Sequence, residues 1–408
     1  MVTSSSGDSD PVRARLRLDD LVSQDRAALA LRHAVRAAHG ERDAPAGAMT
    51  HAWLFTGPAG SGRSTAAWAF AAALQCPHGG CGREQCSDCR TVAAGTHPEV
   101  RGLATAGLSI KVDEARAIRA WMAEAPPAGR WRVAVVEDAD RMTPGAAAAL
   151  LKVVEEPPPR GVFLLCSPST HEEDIPVTIR SRCRVLALGT PPVVAVAELL
   201  ENRYAVAEDT ARWAAEVSGG HIGRARVLAT DESSRTRRQR ALQTATDLTT
   251  LQDCFAVAEL WLTEAADSVA LLSEDFAREK ADWAAALGTD AASRRGGAAR
   301  GARTSAAVLR EVEDRQRMES KRTERDALDL MLSDLAGFYR DVLALGAGAE
   351  VRLNAPDYAE ASAAAARRWG PETALRRLHA VLDTRAALAA QAKPRIALEA
   401  MMLALYPS

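Results

Sequence analysis

A glycine-rich loop constrains this chain more than any other segment. Gly57-Pro58-Ala59-Gly60-Ser61-Gly62-Arg63-Ser64-Thr65 follows the apolar run AWLFT and opens the helical pattern STAAWAFAAAL. It fits G-x-x-x-x-G-K-[ST], with Arg63 in the lysine position. Strand, glycine loop and helix in that order make a phosphate cradle. Gly57, Gly60 and Gly62 let backbone N–H groups turn inward, and the helix N-terminus adds its dipole. Ser64 is placed to reach a magnesium ion, with Thr65 beside it in the first turn.

The surrounding sequence supplies a layer for such a loop. Short apolar runs at 52–57, 99–104, 131–138, 161–167 and 183–188 alternate with helical patterns such as VDEARAIRAWMAE (112–124) and PGAAAALLKVVEE (144–156). Alternation of this kind predicts an α/β fold with a mainly parallel sheet. The runs are nearly continuous in apolar residues, as expected of strands covered on both faces. Pro191-Pro192 closes this region, and three short helical patterns follow around the turn SGGHIG (218–223). From about 236 the chain reads as helical, with amphipathic spacing at 324–345 and 371–390. The Gly/Arg/Ser/Ala-rich stretch 290–307 reads as a flexible insertion, extended to about 286–312. Residues 1–15 read as disordered.

Two parts of the phosphate site depart from an efficient hydrolase. Lys is a compact point charge, whereas Arg63 is longer, planar and forked, so the exchange alters how phosphate is met. Only five of the 51 Lys+Arg residues are Lys, so drift from Lys to Arg with function kept is the competing reading. The strand Val133–Val136 ends in Glu137-Asp138, where an Asp for magnesium and then a Glu for water are wanted. The inversion displaces each carboxylate by about one methylene, and a misplacement near ~1 Å can cost about a hundredfold in rate. Capping of the following helix is the other role open to Glu137 and Asp138.

Cys76, Cys81, Cys86 and Cys89 give C-x4-C-x4-C-x2-C within 76–89. Four thiolates close a tetrahedral zinc site, and such closed sites are structural. Four unligated thiols are the alternative. His78 and His97 read as ordinary polar residues. The N-terminal residues contain no apolar segment and no run of about 18 apolar residues occurs, so a cytoplasmic protein without membrane spans is expected. The net charge of −2 argues against a chain that binds nucleic acid over its whole surface.

The phosphate loop, cysteine insertion, acidic strand, LLKVVEEPP (150–158) and Thr178-Ile179-Arg180-Ser181-Arg182-Cys183 occur in an order that resembles bacterial DNA polymerase III clamp-loader subunits of the AAA+ family. The motifs cover about 16–230, and the remainder matches more loosely through KPRIALEAMMLAL (393–405). The resemblance implies an AAA+ P-loop domain at 16–190 with its zinc module, a small helical lid at 191–235 and an all-α collar domain at 236–408. It implies that Arg182 is an arginine finger entering a neighbouring subunit's ATP site, and that Ser167 is the sensor facing the γ-phosphate. It also implies a hetero-pentamer with gamma/tau and delta subunits, acting on a sliding clamp and primed DNA.

Motor subunits of the family carry a sensor arginine where Gly223 stands here. Arg224 is one residue off, about 100° around a helix. With Arg63 and the Glu137-Asp138 inversion, this pattern resembles the delta-prime branch rather than the gamma/tau motor, and the long C-terminal extension of a tau subunit is not seen. An ATP-hydrolysing motor and an independent DNA-gripping module built on the zinc and arginine stretches stay open as alternatives.

Overall fold

The computed structural model describes residues 17–406 apart from 81–85, 104–108, 125–130, 271, 275, 279 and 282–297. The reading of disorder at 1–15 and the 286–297 part of the insertion lie outside the described residues. Two compact units emerge: residues up to Arg203 with Gly220–Gly223, and Tyr204–Gly219 with residues from Arg224 onward.

The first unit is built on a parallel sheet of β1 (Ala52–Thr56), β2 (Val100–Leu103), β3 (Arg132–Val136), β4 (Gly161–Ser167) and β5 (Arg184–Ala187), in the order β2-β3-β4-β1-β5. Each strand falls inside one of the apolar runs. Side chains alternate between faces, and that alternation sorts the core into two layers. Trp53, Phe55, Val133, Val135 and Leu164 pack with α1 (Asp25–Ala38) and α2 (Arg63–Gln75). Ala52, Leu54, Ala134, Val136, Phe163 and Leu165 pack with α4 (Val112–Ala123) and α5 (Pro144–Glu155). α3 (Ser87–Ala93) lies against α2. β1 is buried along its whole length, and each large apolar side chain on it contributes about 1.5–3 kcal/mol.

Alanine explains how α2 fits. Residues 66–75 are all buried, and six of them are Ala, which lets the helix backbone approach the sheet closely. Its two bulky members find specific places. Phe70 meets Trp53 edge to face at 5.2 Å. Trp68 lies over Gly102 of β2, where a Cβ would come within 2.8 Å of the indole. α5 starts at Pro144, with the Thr143 hydroxyl accepting from the Ala146 N–H, and α4 starts with Glu114 accepting from the Lys111 N–H. α6 (Val177–Arg180) and α7 (Val193–Tyr204) complete this part of the chain.

The second unit is helical. It holds α8 (Glu208–Val217), most of α9 (Ile222–Thr230), α10 (Glu232–Asp247), α11 (Leu251–Ala270), α12 (Ala298–Gly346), α13 (Ala359–Arg368), α14 (Pro371–Ala389) and α15 (Pro394–Leu405). Trp261, Leu332, Leu335, Phe338, Tyr339, Val381 and Met402 form its core. The stretch read as a flexible insertion differs here from expectation. Residues 298–312 form the first turns of α12, because their Ala and Arg residues favour helix more than the single Gly301 opposes it. Among the described residues, no helix is long and apolar enough to cross a membrane.

Candidate functional site

β1 delivers the chain to the glycine loop at the C-terminal end of the sheet, where ligands of open parallel sheets bind. Gly57, Gly60 and Gly62 have φ of 153°, 80° and 88°, the region that favours glycine. Space adds a second demand. A Cβ on Gly57 would lie 2.3 Å from the Leu188 carbonyl oxygen, and one on Gly60 would lie 2.3 Å from His221 Cγ. Gly62 is the left-handed cap from which α2 starts. The backbone therefore fits a phosphate cradle, and Ser61 Oγ is buried beside it with no hydrogen-bond partner among the described residues.

The side chains of the loop are committed to the protein itself. Arg63 Nη1 donates to the Gly57 carbonyl at 2.8 Å, so the cation folds back on its own loop. The Trp68 indole N–H donates to Glu137 Oε1 at 2.9 Å, engaging one oxygen of the carboxylate expected to hold magnesium. The Ser64 hydroxyl lies beside the Cys166 thiol on β4. Burial pushes that thiol far up, the Glu137 charge adds to the shift, and Arg63 and Ser64 oppose it. Thr65 is half-buried in the first turn. Asp138 begins a short 3-10 turn at Ala139–Arg141 without a side-chain capping bond. Burial also raises the Asp140 carboxyl, with the Asp138 charge adding to it. Ser167 is fully buried and donates to the Ser169 carbonyl at 3.0 Å. Backbone and side chains thus point different ways: the cradle suits an anion, while Arg63, Ser64 and Glu137 already hold protein partners.

Cys76 closes α2, Cys86 precedes α3, and Cys89 lies in its first turn. Their sulfurs lie within 4.8 Å of one another, and Cys76 and Cys86 are 3.9 Å apart. A tetrahedron of zinc–sulfur bonds has edges of about 3.8 Å, so the three thiols fit zinc. Cys81 lies outside the described residues. The buried His97 is a support: its Nδ1 accepts from the Glu99 N–H, and its Nε2 lies 3.7 Å from Asp88 of α3.

The Ser-Arg-Cys segment follows α6, whose Ile179 is buried among residues that include Leu150 and Val154 of α5. Arg180 is tied down through Nη1 to the Thr170 carbonyl at 2.7 Å. Burial pushes the Cys183 thiol up to about 12. Arg182 stays accessible, with 40% of its side chain exposed. Its Nη1 donates to the Thr178 carbonyl at 2.8 Å and lies 3.3 Å from Ser181 Oγ. Its Nη2 forms an ion pair with Glu155 at 2.8 Å.

A family model described as "DNA polymerase III, delta subunit" matches residues 37–192, which hold the sheet, the glycine loop, the cysteines and Arg182. Through this segment the chain is similar to the DNA polymerase III delta-prime/clamp-loader family. Among curated relatives, the delta' subunit of Pseudomonas aeruginosa is 38% identical over 37% of this chain and 46% of its own length. The tau subunit of Bacillus subtilis is 36% identical over 33% of this chain and 24% of its own. The matches thus span less than half the length of these relatives. A Thermotoga maritima crystal structure of a DNA polymerase III gamma subunit-related protein is 14% identical and covers 87% of this chain and 93% of that one, at a TM-score of 0.40.

Other features of this chain were not legible as motifs. Arg224, one residue beyond Gly223, is committed to a close ion pair with the nearly buried Asp334, which Arg238 also approaches at 3.6 Å. Burial raises the Asp334 carboxyl against the pull of both arginines. Trp68 and Glu137 are 69 positions apart, and His221 meets Gly60 only once the chain has folded back. The one signal in the sequence was Trp68 itself, a bulky residue in an alanine-rich helix directly after a phosphate loop.

Proposed function

We propose that this chain is the delta-prime subunit of a DNA polymerase III clamp loader, a stator that assembles with gamma/tau and delta subunits in a hetero-pentamer. In this reading the complex opens the sliding clamp, sets it on primed DNA in the cytoplasm, and releases it on ATP hydrolysis by its motor subunits. The chain supplies an AAA+ core at 16–190, a helical lid at 191–235, a collar domain from 236 onward, and one structural zinc on Cys76, Cys81, Cys86 and Cys89. The observation that carries the reading is the bond from Trp68 to Glu137, which ties one oxygen of the carboxylate a motor needs for magnesium to the protein itself. Arg63 folding back onto Gly57 supports it, because phosphoryl transfer depends on positioned charge.

Arg182 is the part this subunit lends to a neighbour. A guanidinium beside the γ-phosphate offsets charge that builds in the transition state, and its arrival depends on closure between subunits. A reconstituted loader carrying Arg182→Ala should assemble normally and lose most of its ATPase activity. Unchanged activity would remove Arg182 from this role.

The second reading is a gamma/tau-like motor. The intact glycine cradle and the match to a tau subunit favour it. ATP turnover in the reconstituted loader separates the two: a large loss of turnover on Ser64→Ala in this chain would favour the motor, and turnover unchanged by Ser64→Ala the stator.

A further inference from the structure

We propose that Glu155 is a positioning residue for the Arg182 guanidinium. The inference rests on reading Arg182 as a group that acts in a neighbouring site. Arg182 follows the single turn of α6, and the acceptors at its Nη1, the Thr178 carbonyl and Ser181 Oγ, belong to that same turn. Glu155 comes from a different element. It is the last residue of α5, and its Oε1 lies 2.8 Å from Nη2. Ile179, Leu150 and Val154 share one buried cluster, so α5 and α6 are held at a fixed spacing beneath the pair. The result is a guanidinium gripped from two elements while its side chain stays 40% exposed.

Of the five N–H donors of the arginine head, Nε–H has no acceptor among the described residues. An anionic oxygen brought up by a neighbour can therefore be met without first dismantling the grip. An ion pair this exposed adds little to stability, so its consequence lies in where the guanidinium points. Glu156, the next residue, is exposed and takes no part in the pair. Placement matters here because an error near ~1 Å can cost about a hundredfold in rate.

The test uses the full loader reconstituted with gamma/tau and delta subunits, with assembly checked by gel filtration and ATPase measured as kcat and KM separately. Glu155→Ala should lower kcat on the order of tenfold at unchanged KM for ATP. Glu155→Gln, which keeps an oxygen of the same reach, should recover most of that loss, and Glu156→Ala should match the wild type. In an Arg182→Ala background, Glu155→Ala should add nothing. Three results overturn the proposal while leaving Arg182 in place: wild-type kcat for Glu155→Ala, a higher rate than wild type, or no recovery by Gln. Wild-type activity for Arg182→Ala is the different result that removes the underlying reading, and the role of Glu155 with it.

Discussion

Single residues decide what the phosphate loop of this chain can do. A lysine in place of Arg63 would reach outward as a point charge, whereas the forked guanidinium finds an acceptor in the Gly57 carbonyl. Gly60 is held twice, by its φ of 80° and by His221 against its Cα. Gly60→Ala should therefore destabilise the protein by roughly 1–3 kcal/mol, seen as a lower urea midpoint. Trp68→Phe removes the donor to Glu137 and the benzo edge that lies over Gly102, and should cost about 1–3 kcal/mol in the same measurement. A midpoint unchanged by Trp68→Phe would show that the indole bond contributes nothing to the fold.

Elements carry the next level of argument, and here the sequence was most informative. The strands were legible because β1, β3 and β4 are buried on both faces and read as unbroken apolar runs. The N-terminal turns of α12 were not, because Gly and Ser near 290–305 look like loop punctuation while the intervening Ala and Arg sustain a helix. The cradle was legible from spacing. The commitments of Arg63, Ser64, Glu137 and Arg224 were not, since each depends on a partner chosen by the fold or by a loop geometry that no motif encodes. Caps give a test at this scale. Asp231 accepts from the Ser233 and Ser234 N–H groups at the start of α10. Burial acts to raise its carboxyl, but the hydrogen bonds from Ser234 and Ser233 prevail and hold it below its ordinary value. Its contribution is then present above the unfolded carboxylate value and fades as pH falls through the depressed one. Asp231→Ala should lower stability by about 1 kcal/mol at neutral pH, and the gap from wild type in urea midpoint should shrink in strong acid. Thr143→Ala should cost a similar ~1 kcal/mol by uncapping α5.

At the scale of the whole molecule, the cysteine cluster joins the end of α2 to the start of α3. Metal analysis of the purified chain should find about one zinc, and chelation should raise proteolysis within 76–93. The parallel sheet has its own core on both faces and should keep its circular dichroism after the metal is removed. The contact between Trp68 and Glu137 has an optical consequence. Indole emission responds to a neighbouring carboxylate, so the chain carries its own fluorophore beside Glu137. A metal ion bound by Glu137 would change the charge beside the indole, and the emission difference between wild type and Trp68→Phe would register that event without an added label.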